Sequence, residues 1–392
     1  MQSSFEKIVN KALGNDIIPK CSDTVFVCHQ HILPSLYPLM NYICQYLCLP
    51  ENVFLLGKPY STIQTELSLL KKLGLNIGKN NANLVVGKYS DCIQSDIDQF
   101  WSKISKCKRV IECKKIIVLD EGGHLSCTVP DQLTHKTIAI EQTRFGTRKK
   151  NIKVPTVQVA VCAAKRFFES KEIIEGVWRR LLNDGKLKKE TTFGVIGLGY
   201  LGSYLVKKLI KNGHKVIAYD IREKSALELD VKRATAVQQL VDVSQIIIGC
   251  TGYDSVPSNI RVSGNVEFIS ISSSDIEFSS LLLKYEANRK EIHEPIRIST
   301  NSSKIVIANG GFPYNFDGKH EYEDESEIIL TRLLMIVGIM QALSCEISGC
   351  IKIPLDASFQ MKLTESWAKD ISTVQHQLPD NVLWWKQNSV TL

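Results

Sequence analysis

Residues 191–222, TTFGVIGLGYLGSYLVKKLIKNGHKVIAYDIR, decide how the rest of the chain is read. A short apolar run at 193–196 leads straight into Gly197-Leu198-Gly199-Tyr200-Leu201-Gly202. In such a G-x-G-x-x-G turn the first glycine makes the tight bend and the second lets backbone approach a pyrophosphate. The third lets the helix pack closely on the strand. Leu201, Leu205 and Leu209 recur at helical spacing, and Gly213 stands where that helix would stop. Residues 215–219 then read as a second strand that ends at Asp220. A carboxylate there accepts hydrogen bonds from the adenosine-ribose hydroxyls and repels a 2′-phosphate, so the expected cofactor is NAD. Arg222, just beyond, is a feature that would suit NADP. Strand, glycine turn, helix, strand and acid together predict a Rossmann unit.

Upstream, apolar runs at 24–28, 52–56, 83–87, 116–120 and 137–140 alternate with helical patterns at 36–49, 61–73 and 97–104. That alternation predicts a doubly wound parallel sheet, whose ligands bind beyond the carboxyl ends of the strands. The turns to inspect are therefore His29-Gln30-His31, Asp120-Glu121-Gly122-Gly123-His124 and Glu141-Gln142-Thr143. Residues 157–182 carry one continuous helical pattern and 325–342 another. Between them, strands are expected at 245–249, 267–271 and 304–308. The expected class is α/β, with a doubly wound parallel-sheet substrate-type domain and an inserted Rossmann NAD-binding domain. The substrate-type domain covers 1–155, a hinge helix 156–190 and the Rossmann domain 191–322. A second hinge helix and a C-terminal segment at 323–392 return to the first domain.

The 392 residues suffice for two cores, and 44% hydrophobic with 23% charged residues is an ordinary globular balance. Twelve cysteines are scattered without a CxxC pair, which predicts reduced thiols and a cytoplasmic protein. The net charge of +7 arises in lysine clusters without interleaved aromatics, so no nucleic-acid partner is expected. Residues 33–50 and 333–343 are too short or too polar to span a bilayer, and no membrane partner is expected. His29-x-His31 lacks a nearby third ligand, so no metal is expected.

Several short motifs resemble those of S-adenosylhomocysteine hydrolases. Asp120-Glu121-Gly122-Gly123 is similar to that family's D-D-G-G, Glu141-Gln142-Thr143 to its E-E-T, and residues 172–180 (EIIEGVWRR) to its S-L-I-D-G-I-K-R helix. Cys250-Thr251-Gly252, Ala308-Asn309-Gly310 and Tyr314-Asn315-Phe316 fall where the family has T-T-G, A-x-G and V-N-L. The resemblance implies an NAD domain inserted in a substrate domain, oxidation of a ribose 3′-hydroxyl, and a small nucleoside-like substrate. It also leaves room for a homo-oligomer. The chain departs from the family's N-D-S-x-x-K-x-x-x-D-N segment. Counted back without gaps from Glu172, its lysine falls at Ala160 and its aspartate at Ala164, with Lys165 nearby. Ser273 stands where the family's N-I-G-H histidine would be.

The expected catalytic set is His31, Asp120, Glu121 and Lys165. The expected cofactor set is Gly197, Leu198, Gly199, Tyr200, Leu201, Gly202, Asp220, Arg222, Thr251, Gly252, Thr143, Ser272 and Asn315. Lys165, on a helix, would ordinarily be solvated, and so would His320. The functional expectation is a divergent adenosylhomocysteinase-like oxidoreductase acting on a ribose-like or polyol hydroxyl without full hydrolysis. The alternative is a catalytically silent NAD-binding paralogue that regulates a partner.

Overall fold

The computed structural model describes residues 2–14, 23–80, 89–222, 229–347 and 352–389. The chain divides into two compact units. The first comprises 1–82, 93–169 and 324–392, and the second comprises 83–92 and 170–323. Strands in chain order are β1 Thr24–Gln30, β2 Val53–Gly57, β3 Asn76–Ile77, β4 Lys115–Asp120, β5 Thr137–Glu141 and β6 Thr156–Gln158 in the first unit. The second unit holds β7 Thr192–Ile196, β8 Lys215–Tyr219, β9 Lys232–Arg233, β10 Ile246–Gly249, β11 Gly264–Ser270, β12 Ile296–Ser299 and β13 Ser303–Ile307. β14, Lys352–Pro354, returns to the first.

Each unit builds a seven-stranded sheet. The first runs β14-β6-β5-β4-β1-β2-β3 and is parallel throughout. The second runs β12-β13-β11-β10-β7-β8-β9, with only β12 antiparallel. Both sheets are doubly wound, and strand order reverses beside β1 in one and β7 in the other. Those reversals open the crevices where such sheets bind ligands.

The first core lies between β1, β4, β5 and the helix Glu325–Ser344. This helix is apolar on nearly all sides because it is buried on nearly all sides, and Gly338 permits the approach. A Cβ at Gly338 would lie 2.9 Å from Ile140 Cγ2 and 3.1 Å from Val159 Cγ2. By length and composition the helix could cross a bilayer, but 78% of its apolar window is buried within the protein. Residues 333–343, read alone as too short for a span, are thus part of a 20-residue core helix.

The continuous helix expected over 157–182 does not form. Its first residues are β6, followed by a 3-10 turn Val159–Val161, a π-helical turn Lys165–Glu169 and the α-helix Ser170–Asn183. Val157, Val161 and Phe168 mimic helical spacing, yet Thr156-Val157-Gln158 gains more as a strand between β5 and β14. Part of the span assigned to a hinge helix is therefore sheet. The helix expected at 36–49 also changes character, running as an α-helix over Leu36–Tyr42 and a π-helical turn over Ile43–Leu47. The strand expected at 83–87 lies outside the described residues.

Candidate functional site

In the second unit β7 runs into Gly197, whose φ of 92° only glycine adopts without strain. A Cβ at Gly202 would lie 1.8 Å from Gly197 O, so the third glycine is fixed by backbone contact. A Cβ at Gly199 would meet nothing within 4 Å, and Gly199 caps the helix Tyr200–Lys211 without any side-chain hydrogen bond. Open space thus faces an uncapped helix N-terminus, which suits a pyrophosphate. Leu198 is buried, Leu201 partly buried and Tyr200 38% exposed.

Asp220 stands at the end of β8. Its carboxylate accepts from Leu198 N at 2.6 Å and from Arg222 N at 2.8 Å, with Arg222 Nε at 3.3 Å. Burial alone would raise its pKa, but those N–H donors and the Arg222 guanidinium outweigh it and hold the carboxyl below its usual range. An ionised acid therefore sits against the glycine turn, as ribose recognition requires. The Arg222 side chain is 67% exposed.

Next to this turn, a Cβ at Gly197 would lie 2.8 Å from Thr251 Cγ2. The loop Cys250-Thr251-Gly252 is held by Glu277, which the sequence reading missed. Glu277 accepts from Thr251 Oγ1 at 2.7 Å, Thr251 N at 3.1 Å and Gly252 N at 2.9 Å, while Gly252 N also reaches Ser272 Oγ at 3.0 Å. Asn315 lies elsewhere in the unit, donating to Glu323 Oε1 at 2.6 Å. His320, 65% exposed, pairs with Asp317.

In the first unit the carboxyl ends of β1, β2, β4 and β5 converge on a buried polar cluster. Glu121 Oε1 lies 2.9 Å from His31 Nε2, and Glu121 Oε2 accepts from His31 N at 2.9 Å. Burial opposes ionisation of Glu121, but His31 and the Lys58 ammonium together hold its pKa well below the usual value. Burial pushes the His31 pKa down to about 4, against the pull of Glu121, so the ring is neutral at pH 7. With an ionised acceptor at Nε2 the ring proton resides there. Nδ1 therefore accepts from Ser61 Oγ, completing a Ser61–His31–Glu121 chain. Asp120 accepts from Glu121 N at 2.9 Å and Ser126 N at 2.7 Å. Glu141 accepts from Gly122 N at 3.2 Å, Gly123 N at 2.8 Å, and Thr143 N and Oγ1 at 2.7 Å each. Thr143 is thereby fixed as the N-cap of the short helix Arg144–Thr147.

Lys165 is not the solvated lysine its helical setting suggested. Its side chain is 8% exposed, Nζ lies 2.8 Å from Glu169 Oε1, and Nζ donates to Gln142 O at 2.8 Å. Thr331 Oγ1 adds a 2.5 Å bond to Glu169. Arg332 joins this side to β1 by donating to Gln30 Oε1 at 3.1 Å and to Gln142 Oε1 at 3.5 Å. The structure thus brings His31, Asp120 and Glu121 together directly, with Lys165 connected through Gln142 and Arg332. Lys58, Glu169 and Arg332 were not singled out from sequence, and Glu141 only as part of a strand-end turn and motif. Lys58 and Glu141 lie at the carboxyl ends of β2 and β5, where the strand rule points. Arg332 sits inside an apolar pattern and carries no local signal. Ala160 and Ala164 are buried packing residues. Among the described residues no group of histidine, cysteine and acid has the arrangement of a metal site, and ten cysteines are free thiols.

Residues 192–269 match the family of NAD-binding domains of 6-phosphogluconate dehydrogenase. Two uncharacterized proteins of Mycobacterium tuberculosis, from strains CDC 1551 / Oshkosh and H37Rv, are each 24% identical over 328 residues. The match covers 81% of this chain and 64% of each relative, so the chain spans under two thirds of their length. Among solved structures, the apo form of D-lactate dehydrogenase from Escherichia coli is 11% identical with a TM-score of 0.34, over 67% of this chain and 79% of that one. An NAD-complexed D-isomer specific 2-hydroxyacid dehydrogenase from Lactobacillus delbrueckii ssp. bulgaricus is 11% identical with a TM-score of 0.37, over 82% and 97%. The second unit carries an NAD-binding domain, and its glycine turn, uncapped helix and Asp220 fit that dinucleotide.

Proposed function

We propose that the protein is an NAD-dependent oxidoreductase, similar to adenosylhomocysteinases, that acts on a ribose-like or polyol hydroxyl without completing S-adenosylhomocysteine hydrolysis. The observation that carries this reading is the buried Lys165–Glu169 pair. It has the Lys-x-x-x-acid spacing of the family segment that an ungapped count placed on Ala160 and Ala164. Lys165 Nζ has two partners, Glu169 and Gln142 O, which leaves a third N–H for a substrate oxygen.

When bound, NAD supplies a hydride acceptor. The protein's own part is to hold the hydroxyl, move its proton and exclude water. Lys165 donates to the hydroxyl oxygen, and Glu169 fixes the ammonium. His31, its tautomer set by Glu121, takes up the hydroxyl's proton through Ser61, whose Oγ passes its own proton to Nδ1 as it accepts the substrate's. Elimination and water addition need a further proton-transfer set, and serine in place of the N-I-G-H histidine at residue 273 argues against that half of the cycle.

The test is absorbance at 340 nm with NAD and a panel of nucleosides and polyols, alongside a thiol assay for homocysteine release. Reduction without homocysteine release, lowered by Lys165→Met at least about 100-fold as expected for loss of a positioned acid–base group, supports the reading. Silence across the panel with NAD firmly bound would favour a regulatory paralogue.

A further inference from the structure

The carboxylates of the first-unit cluster have their oxygens occupied. Glu121 serves both His31 Nε2 and His31 N, Asp120 two backbone N–H groups, and Glu141 three backbone N–H groups and a hydroxyl. Lys58, directly after β2, is a different case. It is 2% exposed, and among the described residues its Nζ has no hydrogen-bond partner, only the face of Tyr60 at 5.9 Å. Its neighbour His29 is fully buried, and among the described residues neither ring nitrogen has a hydrogen-bond partner. His29 pairs with Leu56 in the β1–β2 register, and Lys58 lies two residues beyond Leu56, so both side chains project from one face of the sheet.

An ammonium on so buried a side chain, with unused donors, is destabilising unless something supplies acceptors. Nothing there can take its proton. Burial lowers the Lys58 pKa, but Tyr60, Glu121, Glu141 and Asp120 outweigh it and hold it above its usual value. The imidazoles nearby are uncharged, since burial and the Lys58 charge keep His29 well below its usual pKa. The face therefore presents a fixed cation and an imidazole with an unused N–H.

We propose that Lys58 and His29 form an oxyanion-binding subsite, so that the compound bound by the first unit carries a phosphate ester or a carboxylate besides its hydroxyl. This rests on the reading of the first unit as the substrate-binding half, and not on any redox step. A phosphate group matches the ammonium's donors with three acceptor oxygens and cancels its charge, which water or a neutral polyol cannot do.

The experiment is calorimetric titration of the full chain with inorganic phosphate and, separately, acetate, each with and without saturating NAD. Imidazole nitrogen spectra report on His29. Binding of either anion is expected to persist with NAD present, to shift the His29 ring signals, and to weaken at least about 10-fold in Lys58→Met, one charge-assisted hydrogen bond or more. Lys58→Arg is expected to retain it. Whichever anion binds more tightly identifies the group as phosphate ester or carboxylate. Without ligand, Lys58→Met is expected to melt higher than wild type, because a charge kept for binding is a liability to the fold. The proposal is overturned if neither anion binds or if NAD displaces the anion, which would place it at the glycine turn. Equal binding to Lys58→Met, or a variant that melts lower or fails to fold, overturns it as well. Failure of the redox assay alone leaves these outcomes unaffected.

Discussion

Asp220 sits where one side chain would link turn geometry to ligand choice. Its carboxylate ties Leu198 N within the glycine turn while keeping its charge at the end of β8. Asp220→Ala is expected to weaken NAD binding by about 1–3 kcal/mol, the scale of lost bonds to a charged acceptor, and to narrow the preference over NADP. Titration of both dinucleotides checks this, and equal affinities in the wild type would sink the assignment. Glu323 has the opposite electrostatic fate. Burial, with Glu321 and Glu172 adding, pushes its carboxyl up to about 8, and among the described residues Oε2 has no hydrogen-bond partner. Folded Glu323 holds its proton where an unfolded glutamate, titrating at about 4.3, has lost it. Its contribution is therefore full below about pH 4 and is lost as pH rises toward 8. Glu323→Gln should remove up to about 1.4 kcal/mol per pH unit from the slope of stability between about pH 5 and 8. Denaturation of the second unit at several pH values would reveal it, and parallel slopes for the two proteins would refute it.

At the scale of elements, the β7 turn and its helix stand or fall on Gly202. With a Cβ 1.8 Å from the carbonyl of Gly197, Gly202→Ala has no flexible side chain to displace, so the strand–turn–helix unit itself must shift. The cost should reach or pass about 3 kcal/mol, the upper end for overpacking, with NAD binding lost. Thermal melts with and without NAD would show a lowered midpoint and no ligand-induced rise. This unit was also the most legible, because its glycines, periodic leucines and terminal acid are local signals that agree. β6 was illegible for the converse reason: a short strand buried on both faces shows no alternation, and its one valine continues a helical spacing. The same limit hid the cluster beside it. His31, Asp120 and Glu121 could be read from strand ends, whereas Arg332 joins them across 302 residues of chain to Gln30.

At the scale of the molecule, the second unit is built from two segments, 83–92 and 170–323, and the described N- and C-terminal segments both belong to the first. Tyr89 adds a stitch, because this residue from the N-terminal half donates its N–H to Asp275 and packs its ring against Phe312 within the second unit. An excised fragment of 170–323 would leave Asp275 without that donor. This chain connectivity also dictates how the protein answers a mechanical load. A pull on the two termini loads the first unit at both ends and reaches the second only through its segments 83–92 and 170–323. An optical-tweezers trace should therefore show the first unit rupturing before the second releases roughly 50 nm of contour, at about 3.6 Å per extended residue. If the 50 nm step came first, the Rossmann unit would be feeling the tension directly. With the load path drawn by chain connectivity, strain reaches the unit that carries the glycine turn only after the unit that holds both described ends.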